Sequence, residues 1–345
     1  MRAPTSLRRP TVRVGWIAYD TLRSTRPTFA RLDPPFEMRI ANVARWINGK
    51  SSRLHNELYR PYRRYDLVVF HKAMDEACRR EARRIQAGGG RVVFDANVNY
   101  YEIWGEYDIE GTRPTPEQQR EAIEMTRLVD WVVADSRYLL GIVRKHTERA
   151  GWIPDNVDLR VFGRRERIRR RRPFRLVWSG VAKKAKPLLE IAPALSRLEG
   201  AELVLVTDTE PAVAPALSEA IRTRVVPFSV PRYARVLAHC DVILSPKRLV
   251  NGYELGHTEW KITLGMASAL PAVASPQPSY VEAIGAHGGG IVADGVEEWR
   301  DALLRLAGDD TYRRELGRRA RQTVEERYSL PVVARQYLDL LESLL

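Results

Sequence analysis

A lysine in the first turn of a helix runs against the helix dipole, which places partial positive charge at that end. Lys261 is such a residue. Gly256-His257-Thr258 leads into a helix that the pattern opens near Glu259, with Thr258 suited to the N-cap. An anionic ligand accounts for the lysine, because backbone N–H groups and a cation together are what a phosphate needs. A second cationic element follows the apolar run Arg175 to Ser179. There Ser179-Gly180 turns the chain and Lys183, Lys184 and Lys186 come next. Glycine lets the backbone approach a ligand closely, and lysines at the carboxyl end of a parallel strand face the ligand crevice. Lys183 and Lys184 are both candidates. The stretch Asp95-Ala96-Asn97-Val98-Asn99-Tyr100-Tyr101-Glu102 is dense in polar groups after another apolar run. Asp95 or Glu102 could take a proton from a hydroxyl there. His71-Lys72 follows Leu67 to Phe70 in the same way. Asp208-Thr209-Glu210 is the nearest approach to a metal site, but a turn before Pro211 explains it, and neither metal nor cofactor is expected.

The elements that must hold these residues alternate. Short apolar runs at Val12 to Tyr19, Leu67 to Phe70, Val92 to Phe94 and Trp131 to Ala134 read as buried strands. Amphipathic stretches lie between them, among them Asp75 to Gln86 and Glu117 to Val129. That rhythm implies parallel strands with crossover helices. Pro116 suits a first helical turn, and Gly88-Gly89-Gly90 a stop. The rhythm restarts at Arg175 to Ser179, with a helix predicted over Lys186 to Leu198. Strands are predicted at Glu202 to Thr207, Arg224 to Val226, Asp241 to Ser245, Pro271 to Ser275 and Gly290 to Ala293. Helices Val296 to Leu306, Asp310 to Arg327 and Leu330 to Leu345 close the chain. The simplest architecture is α/β: two doubly wound halves joined near 160–174, with the ligand in the cleft between them.

A chain of 345 residues, 44% hydrophobic and 29% charged, is long enough for two domains. No apolar run approaches the roughly 20 residues of a spanning helix. Arg2, Arg8 and Arg9 are not followed at once by an apolar segment, so a secretory signal is not expected and a cytoplasmic location is. Cys78 and Cys240 read as separate reduced thiols, too few for zinc held by cysteine. The net charge is +13, with the densest run at Arg164-Arg165-Glu166-Arg167-Ile168-Arg169-Arg170-Arg171-Arg172. It reads as a solvated linker or as a contact with an anionic membrane, where each basic residue adds about 1 kcal/mol. Nucleic acid is not the expected partner, because the aromatic-interleaved pattern of RNA-binding sheets and zinc-finger spacings are missing. No G-x-G-x-x-G follows Val12 to Tyr19, which excludes a nicotinamide dehydrogenase.

Several segments in order resemble glycosyltransferase family four, the group 1 glycosyltransferases. They are Ala134-Asp135-Ser136, then Trp152-Ile153-Pro154-Asp155-Asn156-Val157-Asp158 with Phe162, then Cys240-Asp241-Val242-Ile243-Leu244-Ser245-Pro246. Met266-Ala267-Ser268-Ala269-Leu270-Pro271-Ala272-Val273-Ala274-Ser275 follows, and the tail carries Ala320-Arg321 and Tyr328-Ser329. The resemblance implies a GT-B fold: two Rossmann-like domains facing a central cleft, with C-terminal helices crossing back to the first. Expected divisions are 1–165 for acceptor binding, 166–328 for the nucleotide-sugar donor, and 329–345 for the returning helix.

Under this resemblance Lys261, with His257, Thr258 and Glu259, lies at a phosphate-binding position. Ser179, Gly180 and Lys183 or Lys184 match the element gripping the donor diphosphate, whose arginine is replaced here by Val181 or Ala182. Phe228 ends the strand where the base is seated. The family's Glu-x7-Glu pair falls on Gly256 and Leu264, neither acidic; Glu254 or Glu259 could substitute, Glu254 better for facing the sugar. Asn97 stands near the place of a family histidine. Tyr100, Tyr101 and Trp104 could stack on an acceptor sugar. The partners implied are a nucleotide-sugar donor and a glycan, lipid-linked or small-molecule acceptor, with stereochemistry open. The competing readings are a protein of this fold that binds nucleotide or glycan without transfer, an epimerase, and a basic nucleic-acid-binding protein.

Overall fold

The computed structural model describes residues 11–18, 36–163 and 173–345. The arginine run, the 165/166 division and Tyr19 lie outside them. Two six-stranded parallel sheets form. The first runs β2-β1-β3-β4-β5-β6, from β1 (Val12–Ala18), β2 (Leu54–Leu58), β3 (Leu67–His71), β4 (Arg91–Ala96), β5 (Trp131–Ala134) and β6 (Ala150–Trp152). The second runs β12-β11-β10-β7-β8-β9. Its strands are β7 (Arg175–Ser179), β8 (Glu202–Thr207), β9 (Arg222–Pro227), β10 (Val242–Ser245), β11 (Ala272–Ala274) and β12 (Gly290–Val292). Helices cover both faces, which is why β3 and β8 are buried along their whole length and read as unbroken apolar runs.

Local chemistry fixes the helix ends. In α2 (Glu76–Ala87) the Asp75 carboxylate accepts from the Cys78 N–H at 2.8 Å. In α3 (Pro116–Leu128) Thr115 and Gln118 form a capping box around Pro116. The helix predicted over Lys186 to Leu198 is instead a 3-10 turn, Lys186–Leu189, and one short helix, Ala192–Leu195. Pro187 and Pro193 cannot donate N–H groups to a continuous ladder. The edge strands β2 and β6 are new to the structure; LHNEL alternates with polar residues, and AGW is too short to stand out.

The last helix, α6 (Leu330–Ser343), returns to the first domain. Its Val333, Tyr337 and Leu341 pack with Trp16, Ile40 and Val43, the last from α1 (Asn42–Lys50). The two chain crossings run side by side, since Val157 N–H donates to Tyr328 O at 2.8 Å and Leu330 N–H to Val157 O at 2.9 Å.

Strand order places the site. In the second sheet β7 lies between β10 and β8, so the connections leaving β7 and β10 diverge and open a crevice beyond their carboxyl ends. In the first sheet the same reversal falls between β1 and β3, and Lys72 leaves β3 there with a left-handed backbone, φ 56°.

Candidate functional site

The crevice of the second sheet collects lysines. Lys184 follows β7, Lys247 follows β10, and Lys261 opens α5 (Trp260–Ala267). The Lys261 ammonium lies against Gly180: a Cβ added there would stand 3.1 Å from its Nζ and 3.0 Å from the Trp178 ring. A side chain there would crowd both groups, so the ammonium or the ring would have to shift. Lys247 pairs with Glu254 at 2.5 Å, on the short helix α4 (Gly252–Gly256) capped by Asn251. Lys184 donates to the Tyr253 hydroxyl at 3.0 Å and stands 3.5 Å from His257 Nε2. Three ammonium groups thus face one carboxylate. Lys261 makes no ion pair with a described residue. The cleft they line is open to solvent, with Glu106, Asp108, Ile109 and Thr112 of the first domain as its outer wall.

This crowding sets the protonation states. Burial, then Lys247 and Lys184, push Lys261 well below the usual lysine range. Burial and Lys247 bring Lys184 down to about 8, against the pull of Glu254. Burial and the three lysines hold His257 neutral, well below its ordinary value. Burial alone would raise the Glu254 carboxyl, but Lys247 and Lys184 outweigh it and keep it ionised. Such an array has the charge and the donors to receive an anion.

The first domain presents a different cluster. Arg39 is 4% exposed and holds Asp95 through both oxygens at 2.8 and 2.9 Å, and Asp155 at 2.7 Å. His71 Nδ1 lies 2.9 Å from Asp95 Oδ2, and the Tyr337 hydroxyl donates to the same oxygen at 3.1 Å. Thr258 of the second domain donates to Asp155 at 2.9 Å, so this network also ties the domains. Burial tends to raise the Asp95 carboxyl, but Arg39 and His71 overcome it and drive it far below the usual range. With no exposure and every oxygen committed, Asp95 is a structural anchor, which argues against a role as proton acceptor.

The other expected residues divide. Lys184, His257, Lys261 and Glu254 come together, with Ser179 and Gly180 behind them. Lys183 points outward and donates to Glu110 O at 2.9 Å, so the structure favours Lys184 as the inner cation. Thr258 spends its hydroxyl on Asp155. Glu259 is turned away from the lysines and buried near Asp155 and Asp135, where burial raises its carboxyl well above the ordinary range. That argues against Glu259 as a substitute for the missing pair. Phe228 is 39% exposed beside Tyr233, outside the lysine cleft. Asn97 donates to Asp135 at 2.6 Å. Glu102 is paired with Lys145 on the surface. Tyr101 is 3% exposed with its hydroxyl on Thr126 at 2.7 Å, so it is core rather than a stacking platform. Tyr100 packs against that core, while Trp104 is 43% exposed with its ring beside Gly252. Asp208 accepts from the Ala182 N–H at 2.7 Å, which gives it a loop-fixing role. Among the described residues no cluster of His, Cys, Asp and Glu is placed to hold a metal ion, and no helix is long and apolar enough to cross a membrane. Sequence reasoning missed Lys247, Arg248 and Arg39. A basic pair two residues past an apolar strand, Pro246-Lys247-Arg248, was the available signal for the first two.

This geometry can be set beside known proteins. Residues 174–309 match the family model of Glycosyl transferases group 1. The described residues have the GT-B fold. Anabaena HepE in complex with UDP aligns with TM-score 0.69 at 10% identity, over 96% of this chain and 100% of that one. A glycosyltransferase from Rickettsia africae aligns with TM-score 0.68 at 12% identity, over 96% and 98%. Sucrose-phosphate synthase from Thermosynechococcus elongatus aligns with TM-score 0.65 at 14% identity, over 81% and 74%. At such identities the likeness is one of fold. No match is found among curated proteins. The group 1 match covers β7 to β12, and therefore every lysine of the cleft.

Lys184 must be charged to hold an anion, and its ammonium titrates at about 8. Affinity for a nucleotide diphosphate sugar, whose phosphates have no group titrating near neutrality, is therefore expected to be higher at pH 7 than at pH 9. Above pH 8 it should fall roughly tenfold per unit, as the free protein loses the proton that the complex retains. Titration calorimetry between pH 6.5 and 9.5 checks this, and a flat profile through pH 9.5 sinks it.

Proposed function

We propose that this protein is a glycosyltransferase that takes a sugar from a nucleotide diphosphate donor and passes it to a glycan, lipid-linked or small-molecule acceptor. The observation that carries the reading is the convergence of Lys184, Lys247 and Lys261 on the crevice where the second sheet reverses. Three ammonium groups match the charge of a diphosphate, so this reading needs no divalent ion. The bound UDP of the Anabaena neighbour makes uridine diphosphate the first donor nucleotide to try. The acceptor would enter from the first domain, past Trp104. The net charge of +13 supports an acceptor at an anionic membrane surface of the cytoplasm.

In the chemical step the bond from the sugar C1 to the β-phosphate oxygen breaks, and its electron pair stays on the diphosphate. The lysines stabilise that charge as it develops. The acceptor oxygen bonds to C1 and must give up its proton. Asp95 is locked to Arg39 and Glu102 to Lys145, which supports a departing phosphate oxygen as the proton's destination and retention of configuration. Glu254, ionised in the cleft, is placed to steady positive charge on the sugar.

The test joins melting temperature against nucleotide diphosphates and their sugars to turnover, with Glu254→Gln alongside. The variant frees Lys247 of its partner, so donor affinity is expected to hold or rise while turnover falls about 10²-fold. Binding without turnover in the unaltered protein would favour the second reading, a nucleotide-binding protein of this fold. The non-acidic Gly256 and Leu264 speak for that alternative. No shift with any nucleotide would remove the donor assignment.

A further inference from the structure

One segment of the first domain is tied directly across the lysine cleft. Gly105 pairs with Asn251 as an antiparallel bridge, Glu106 N–H donates to Val250 O at 3.3 Å, and Asn251 Nδ2 donates to Glu106 O at 2.5 Å. The closeness depends on Gly105, which has φ 80° and whose absent Cβ would stand 1.9 Å from Val250 O. Beyond the bridge the contacts become ionic. Arg248 is paired with Asp108 and, at 3.6 Å, with Glu106, while Lys183 donates to Glu110 O at 2.9 Å. Ile109 and Thr112 complete the outer wall of the cleft that Lys184, Lys247 and Lys261 line from within.

The chemistry of this segment matches what the cleft would bind. Two of its carboxylates and a carbonyl oxygen occupy the outer cations, Arg248 and Lys183, and Glu190 of the second domain is a third carboxylate on Arg248 at 3.4 Å. We propose that residues 105–112 are a strap that closes the phosphate cleft in the unliganded protein, with Asp108 and Glu106 acting as built-in anion mimics that an incoming diphosphate displaces. The proposal rests on the reading of the lysine cleft as a diphosphate site and adds control of access to it. Arg248 and Lys183 stand outside the inner lysines Lys184, Lys247 and Lys261, so a ligand seated on the inner three gains the outer pair only when the strap releases it. Salt, which screens the partly exposed Arg248–Asp108 pair more than the inner lysines, should loosen the strap first.

The test uses the full chain with inorganic pyrophosphate as the probe. Hydrogen exchange by mass spectrometry reads the strap, and calorimetry reads affinity. Pyrophosphate is expected to speed exchange at 105–112 while slowing it around 180–184 and 261–263. The double variant Glu106→Gln, Asp108→Asn is expected to exchange fast at the strap without ligand, and to bind pyrophosphate about 5–10-fold more tightly. Gly105→Ala, which breaks the bridge by a different route, is expected to act in the same direction. If pyrophosphate slows exchange at 105–112, the segment clamps onto ligand rather than yielding to it, and the proposal is overturned. Equal affinity in the unaltered protein and both variants overturns it while leaving the diphosphate site standing. Absence of pyrophosphate binding in every form overturns the strap and the site together.

Discussion

Replacing Arg39 with methionine is expected to cost about 3–5 kcal/mol of stability, because it strands the buried carboxylate of Asp95 and the partly buried one of Asp155 at once. Its guanidinium is the shared partner of Asp95, which is wholly buried, and Asp155, which bonds onward to Thr258 of the second domain. In a two-domain chain of this size the loss corresponds to a fall of roughly 10 °C in melting temperature. Lysine should recover less than half, since it cannot present the fork that grips both Asp95 oxygens. The pH dependence separates this account from a loss of packing. Asp95 has a depressed carboxyl, so its contribution is complete above the ordinary carboxylate range and is lost as pH falls through its lower, folded value. Without Arg39, burial is the dominant influence and the carboxyl shifts upward. The variant should then regain part of its deficit below pH 4, where a neutral Asp95 no longer needs a cation. Denaturant unfolding at pH 7 and pH 3.5 measures both points. A cost under 1 kcal/mol at pH 7, or the same cost at both values, would refute the argument.

Arg39 also shows where reading the sequence stops. Buried strands announce themselves, because a parallel sheet covered on both faces needs unbroken apolar runs. Trp131 to Ala134, Arg175 to Ser179 and Glu202 to Thr207 are strands with the expected ends. Edge strands lack that pressure, and β2 and β6 carry no comparable run. In the site, the elements nearest a helix start were legible: Lys261 stands out because it opposes a dipole, and Gly180 because lysines follow it. Long-range partners were not. Asp95 at a strand end looks like a base until Arg39, 56 residues away, is found holding it. Glu259 looks like a substitute for a missing carboxylate until the turn of its helix faces it to Asp155 and Asp135. Tyr101 has the composition of a sugar platform and the burial of a core residue, and only tertiary packing distinguishes them.

The residue that was legible carries the second large effect. Lys261→Met is expected to do two opposite things: raise the melting temperature of the ligand-free protein and remove most of its stabilisation by nucleotide diphosphates. The first follows from the apo state. Lys261 is held against burial and against Lys247 and Lys184, so its ammonium is a cost the folded chain bears at neutral pH. A methionine fills similar space beside Trp178 without that cost, a gain of about 1–3 kcal/mol. The second follows from what the charge is for. Removing one of three cations around a diphosphate should weaken binding on the order of 10²-fold, about 3 kcal/mol. At a ligand concentration of about 100 times the original Kd, the stabilisation of about 2.7 kcal/mol falls to about 0.4. Scanning calorimetry with and without uridine diphosphate reads both signs. A variant that melts lower when free and still shifts with ligand would mean that Lys261 is a packing residue. The opposed signs are the signature of a site whose folded state is strained by like charges until an anion arrives to separate them.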